Sequence, residues 1–595
     1  MKKNAYLFLL FLVSSISSST PLFASLEQAK SYQFPGNYLA ENLYANPTIL
    51  QAFYWYIPDP DSGHKGPESN LWQYISYTMA DEFKQHGFTH VWLPPMSKAF
   101  SPTNEYNVGY AVYDHYDLGE FHQMGRVRTK YGTKQELLAA VEALHSRGIM
   151  VIGDIVMNHM LGADQAENVP YSHGFIVNKN NTVSYIGSGE IAAYLNFNFQ
   201  NKNDPDPRGT RHSSFVWNKD HFNGLEIFDR FYLFQGKSIN KVAYFGDLSS
   251  MPSEAQNIYK SIRSDIILGA NLDFQNPEVR EEMIRWTKWL INEVGLDGFR
   301  IDAVRHIDTP FISEWAFAIQ KYMSDIGKFD GMLMFGESWD GWAERLSAYL
   351  EGNPANNGLF YNQGDGATNY CGIGNAMSLF DVPLHYDFQK VAKENNSYPP
   401  TRISDLPYRG LLARNPRYAI TFVDNHDTIP TQELGSYIPL HTKLQAYTFI
   451  LLNEFGVPTV YYEDMYKGNF VSNYKHDNFH VLNEGIKKLV YLRRRYAYGP
   501  GEYFIDYAKP GILGYKRQGR SDRQAESGLI YLIREFNSKD NGLIIPTDNR
   551  KWVLAAGSGN FNNGRFYLND DSDWAVWIPS PENGIPATQL PWSLK

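Results

Sequence analysis

Cysteine is almost absent: Cys371 is the only one in 595 residues. No intrachain disulfide can form. With no paired histidine in its context, this thiol reads as structural rather than catalytic. An excess of positive charge is missing too. The formal net charge is −10, without a basic tract or basic amphipathic helix, which argues against nucleic acid as a partner. Internal repeats and long low-complexity tracts are also lacking. The N-terminal apolar run, Ala5 to Val13, is too short to span a bilayer. It follows Met1-Lys2-Lys3 and precedes a Ser-rich stretch ending in Ala24-Ser25, the layout of a secretory signal peptide. Cleavage is expected after Ala24, leaving a secreted protein, extracellular or periplasmic, with no membrane partner. A monomer is expected. An exported chain without disulfides must rely on its core, or on a metal.

What the chain has is length and aromatic rings. The 595 residues suggest two to four domains. Aromatics make up 15%; most must serve the core, yet Trp and Tyr faces also stack on sugar rings. Strand candidates alternate with helical spacing, which implies a parallel sheet. The strands are Thr48 to Tyr56, Phe88 to Leu93, Val151 to Val156, the run through Arg300, Met332 to Gly336, Met377 to Asp381, Ala419 to Val423 and Val457 to Tyr462. Eight is the number that closes a barrel. A capping box, Thr133 with Glu136, starts one helix. Asn276-Pro277-Glu278 starts another, which stops at Gly295. The alternation breaks between 161 and 262, a stretch too long for a simple loop. The expected architecture is a (β/α)8 TIM barrel over 25–160 and 263–497. An irregular β-rich domain, 161–262, is inserted after strand 3 and overhangs the carboxyl end. A Gly/Asn-rich insertion covers 352–375. Short β-like runs from 498 to 595 predict a C-terminal antiparallel β domain.

Four of the apolar strands end in ionisable residues: Val156-Met157-Asn158-His159, Gly298-Phe299-Arg300-Ile301-Asp302, Phe335-Gly336-Glu337-Ser338 and Phe422-Val423-Asp424-Asn425-His426-Asp427. Barrel enzymes carry their chemistry at such carboxyl ends. Arg300 and Asp302 share a strand face. An isolated Arg-x-Asp is usually a structural ion pair; three carboxyl groups at three strand ends are not. Breaking a glycosidic bond needs one carboxyl to protonate the leaving oxygen and another to attack the sugar or activate water. Asp302, kept ionised by Arg300, suits the nucleophile. Glu337, with Gly336 and Trp339 beside it, suits the acid/base. Asp427 suits stabilisation of the distorted sugar. His159 and His426 suit contacts to sugar hydroxyls.

These four stretches, in this order, resemble the signature regions of the α-amylase family of glycoside hydrolases. Gln51-Ala52-Phe53-Tyr54-Trp55-Tyr56, Val108-Gly109-Tyr110, Tyr116 to Gln123, Val127 to Lys134 and Phe380 to His385 narrow the resemblance to bacterial liquefying α-amylases, from about 48 to 465. It implies an endo-acting hydrolase of internal α-1,4 bonds in starch or glycogen, working by a retaining double displacement. Asp302, Glu337 and Asp427 carry over as nucleophile, acid/base and stabiliser. Arg300, His159 and His426 carry over as substrate contacts, Tyr110 as a ring stacked on the sugar at the cut, and Arg305 and His306 as contacts beyond it. The resemblance further implies Ca2+ between the inserted domain and the barrel, at the positions of Asn158, Asp265, Asn271 and the His306 carbonyl. Asn271 stands where those enzymes usually have Asp, which lowers ligand charge by one; for a second calcium or sodium site, the inserted domain has Asn223 where the relatives carry an acid. A glucan transferase on the same scaffold is the alternative; a non-catalytic glucan-binding module is the third reading, against which all three carboxylates stand, since such relatives lose theirs.

Overall fold

The computed structural model describes residues 46–61, 66–101, 107–179, 182–200, 204–238, 256, 266–328, 332–352, 360–361, 370–392, 401–467, 476–522 and 527–580. The signal-like segment, Asp265 and most of the 352–375 insertion lie outside them, as does the Cys371 side chain.

Eight parallel strands close into a barrel. In chain order they are Ile49–Gln51, His90–Leu93, Met150–Ile155, Gly298–Ile301, Leu333–Gly336, Ser378–Phe380, Ala419–Phe422 and Val457–Tyr461, and the first pairs with both the second and the last. Nearly every residue in them is buried, as expected of strands covered on both faces. All eight fall on the predicted runs. Gly298 opens the fourth strand because a Cβ there would collide with the Leu333 carbonyl oxygen. That close approach seats Arg300 beside its neighbours.

Helices wrap the barrel where the caps predict them. Lys134–His145 has Thr133 and Glu136 in a reciprocal capping box. Pro277–Val294 is capped by the Asn276 side chain and ends at Gly295, whose φ of +85° is left-handed. The helical stretch 71–86 is not one regular α-helix. Residues Ile75–Met79 form a π-turn between Leu71–Tyr74 and Ala80–His86, which shifts the buried face.

The segment after the third strand builds a six-stranded antiparallel sheet. Its order is His159–Met160, Gly269–Leu272, Phe222–Ile227, Arg230–Phe234, Gln165–Val177 and Val183–Asn196. The sheet also takes in residues on both sides of 161–262. His159–Met160 and Gly269–Leu272 lead straight back to the barrel, so the insert is stitched to the strand end that carries Asn158.

The C-terminal region holds a five-stranded antiparallel sheet beside a three-stranded one. Period-two alternation divides its contacts. Leu529, Tyr531 and Ile533 join the core shared with the barrel, while Ile530 and Leu532 face a second core with Leu543, Phe566 and Trp577.

Candidate active site

Arg300 lies at the centre of the carboxyl end of the barrel. The register pairs it with Asp154 on one side and Phe335 on the other. Its Nη1 donates to Asp154 Oδ1 at 2.9 Å and to Asp302 Oδ1 at 2.8 Å, and its Nη2 donates to Glu337 Oε2 at 2.6 Å. One buried guanidinium thus gathers carboxylates from three consecutive strands.

The backbone fixes the same groups. The Asp302 amide donates to the Ile155 carbonyl at 3.0 Å, and the Glu337 amide to the Ile301 carbonyl at 2.9 Å. Ala303 is left-handed, with φ +47°, a strained geometry for a residue with a side chain. It turns the Ala303 N–H onto Glu337 Oε2 at 3.1 Å.

Asp427 closes the fourth side. The Asn425 side-chain oxygen accepts from the Asp427 and Thr428 amides at 2.9 and 3.1 Å, an Asx turn that pins the loop. His426 Nε2 lies 3.3 Å from Asp427 Oδ2 and 2.8 Å from the Tyr110 hydroxyl, while its Nδ1 meets Gln51 Nε2 at 3.0 Å. The Tyr110 hydroxyl donates to Asp154 Oδ2 at 2.7 Å. Trp55, Tyr110 and His426 lie nearly parallel, with Tyr110 and His426 5.3 Å apart at 7°. This aromatic wall beside three carboxyl groups suits a ring with one apolar face.

Burial raises Asp302 to about 6, against which the Arg300 charge pulls it down. Burial also raises Glu337; Arg300 opposes, and the Asp302 charge adds to the rise. The contact between the two carboxyls lowers Asp302 and raises Glu337. Their contact thus favours the proton on Glu337 over Asp302. Asp427 rises well above the ordinary carboxylate range through burial and the Glu337 charge. Burial, with help from Arg300, holds His426 well below its usual value, hence neutral.

The other predicted site residues lie around this centre. His159 is buried and its Nε2 meets the Tyr110 carbonyl at 2.9 Å, so it props the Tyr110 loop. Arg305 and His306 follow one turn beyond Asp302, and Arg305 donates to the Trp339 carbonyl at 2.5 Å. Asn158 and Asn271 meet at the junction of insert and barrel, Nδ2 to Oδ1 at 3.0 Å, and Asn271 continues to Asn223 at 2.9 Å. Neighbouring Asp273 is ion-paired to Lys237 at 2.7 Å. Among the described residues no group of three or more His, Cys, Asp or Glu side chains is placed to hold a metal.

Sequence reasoning missed Asp154, Gln51 and Trp92. Trp92 donates to Asp154 at 3.1 Å and lies under the Arg300 guanidinium. The available signal was one acid inside an otherwise apolar strand, Val151 to Val156.

Fold and site together define a (β/α)8 barrel with carboxyl groups gathered at the carboxyl ends of its strands. Residues 79–478 match the alpha-amylase catalytic domain. The chain is 35% identical to an alpha-amylase of Bacillus licheniformis over 497 residues, covering 82% of this chain and 83% of the relative. It is 32% identical to an alpha-amylase of Geobacillus stearothermophilus over 565 residues, covering 92% and 89%. The fold is shared with a crystal structure of an alpha-amylase from Geobacillus thermoleovorans, at TM-score 0.53 and 17% identity, over 91% of this chain and 99% of that one. The chain belongs to the alpha-amylase family of glycoside hydrolases, and it is an enzyme.

Proposed function

We propose that this enzyme hydrolyses internal α-1,4 bonds of starch- or glycogen-type glucans with retention of anomeric configuration. The observation that carries the reading is the single guanidinium of Arg300 bridging Asp302 and Glu337. Two carboxyls in contact fit the roughly 5 Å separation of retaining enzymes better than the roughly 6.5–9.5 Å that an inverting enzyme needs for its water.

Asp302 Oδ attacks the anomeric carbon as Glu337 passes its proton to the departing glycosidic oxygen. The bond to the leaving sugar breaks and an ester to Asp302 forms. Glu337, now ionised, takes a proton from water, which attacks the same carbon and releases Asp302. Asp427 and neutral His426 hold ring hydroxyls in the flattened transition state. Tyr110 supplies the stacking face, held by Asp154 and His426. Arg300 keeps Asp302 ionised; Arg305 and His306 contact sugar beyond the cut.

Calcium fits the junction between the inserted sheet and the barrel. Calcium accepts amide and carbonyl oxygens, and the Asn158 and Asn271 amides adjoin there, both buried. Asp265 and the His306 carbonyl are the further ligands proposed. The ion would serve as a structural tie between the two sheets; the neutral Asn271 implies weak affinity. Export through the N-terminal signal-like segment is the matching localisation, with a monomer as the working unit and boundaries near 24, 161–262 and 497. No described helix is long and apolar enough to cross a membrane.

Incubation with soluble starch tests the reading. An early fall in chain length with α-anomeric products supports it. Release of one small product from chain ends, transfer without net hydrolysis, or β-anomers would overturn it.

A further inference from the structure

Gln51 ends the first barrel strand, where its register partners are Trp92 and Tyr461, and it is fully buried. Its Nε2 lies 3.0 Å from His426 Nδ1. Among the described residues its Oε1, also buried, has no hydrogen-bond partner. Most buried polar atoms have one, and leaving an acceptor without it costs free energy. The amide is therefore held in place by its nitrogen end.

The protonation of His426 explains why. The ring lies among Phe53, Trp55, Trp92 and Tyr110. It is neutral, because burial and the Arg300 charge oppose a second proton. A neutral imidazole has one N–H and one lone pair. His426 Nε2 faces the Tyr110 hydroxyl at 2.8 Å and, further off, Asp427 Oδ2 at 3.3 Å. The Tyr110 hydrogen is committed to Asp154 Oδ2 at 2.7 Å, and Asp154 also accepts from Arg300 and Trp92. The Tyr110 oxygen thus has no hydrogen left to give, so Nε2 carries the proton. Nδ1 keeps the lone pair, which only a donor satisfies. The Gln51 amide N–H is that donor. Turned over, the amide would set its oxygen against the lone pair.

We propose that Gln51 is a positioning residue that fixes His426 in the Nε2–H tautomer. The proposal rests on the glucan reading, in which His426 holds a ring hydroxyl. The fixed ring presents a donor to that hydroxyl; the other tautomer would present a lone pair.

Two substitutions separate this role from packing. Gln51→Glu keeps the shape. A protonated glutamic acid donates to Nδ1 as the amide does, whereas the ionised form only accepts and draws the proton to Nδ1. The other titratable or charged groups facing the ring, Tyr110, Asp427, Asp154 and Arg300, are the same in both proteins. The alkaline limb of Gln51→Glu should therefore lie at lower pH than that of the unaltered enzyme. Gln51→Met, without a donor at any pH, should lower kcat about tenfold or more, with little change in KM and both limbs in place.

Long-range proton–nitrogen spectra of 15N-histidine-labelled protein at pH 7 read the tautomer directly, with the His426 signal assigned by its loss in His426→Gln. Nε2–H is expected in the unaltered protein. An Nδ1–H tautomer or an imidazolium there overturns the proposal, whether or not the variants fold. So does a Gln51→Glu profile parallel to the unaltered one, or an unchanged kcat in Gln51→Met. Failure of the unaltered enzyme to cleave starch overturns the glucan reading instead, since the tautomer is measured without substrate.

Discussion

Arg300 and Asp154 are register partners on adjacent barrel strands, and the guanidinium meets the carboxylate at 2.9 Å. Asp154 competes with Asp302 and Glu337 for the same cation, and its charge pushes Asp302 upward. Asp154→Asn therefore should lower the pKa of Asp302. The acid limb of the activity–pH profile should move to lower pH, at some cost in melting temperature because a buried pair is broken. An acid limb that stays in place counts against this coupling.

The activity profile of the unaltered enzyme should be a bell. Asp302 must be ionised, so activity falls as pH drops through about 6. Glu337 must be protonated, so activity falls again on the alkaline side, where its raised pKa is passed. Glu337→Gln should cost about 10²–10⁴-fold in kcat and abolish the alkaline limb. Profiles of kcat/KM against pH check both points.

Stability should run the opposite way at the same residue. A carboxyl raised from 3.8 to about 6 in the fold binds its proton more tightly there than in the unfolded chain. Its contribution is fully present below about 4 and is lost as pH rises to about 6. Asp302→Asn should then melt no lower than the unaltered protein at pH 7. A clear drop would mean that the Arg300 pairing outweighs burial.

Much of the barrel was legible because each strand is a short apolar run stopped by polar residues. Asp302, Glu337 and Asp427 announce themselves at three such stops. Asp154 did not, since its partner is 146 positions away and an acid inside a strand has no local meaning. The hairpin Gln165–Val177 with Val183–Asn196 was hidden for another reason. Its residues are exposed on both faces for much of their length, so no period-two alternation marks them. The π-turn at Ile75–Met79 left apolar spacing that still reads as helix. Trp55 and Tyr110 are 55 positions apart in sequence and stack only once the barrel closes.

Lys443 is a buried clamp beneath the Asp427 loop. It pairs with Asp424 at 2.9 Å and with Asp464. Asp424 in turn accepts from the Thr428 hydroxyl at 2.8 Å. Lys443→Met leaves two buried carboxylates without their cation and should cost about 3–5 kcal/mol. Denaturant melts give the loss, and kcat should fall more than KM changes, because the loop that presents Asp427 loosens.

Removal of calcium should lower the melting temperature, and Asn271→Asp should tighten binding by restoring ligand charge. Calorimetry with chelated and calcium-loaded protein, with metal content checked by elemental analysis, measures both. Identical melts with and without metal would remove the calcium tie.

The nucleophile assignment is tested most directly by trapping. Glu337→Gln protein is mixed with an activated α-maltosyl fluoride, whose fluoride leaves without acid help while the second step lacks its base. Mass spectrometry of the digested protein should find a maltosyl ester on the peptide that carries Asp302. An ester on another residue, or fluoride release with β-maltose and no adduct, would contradict the double displacement.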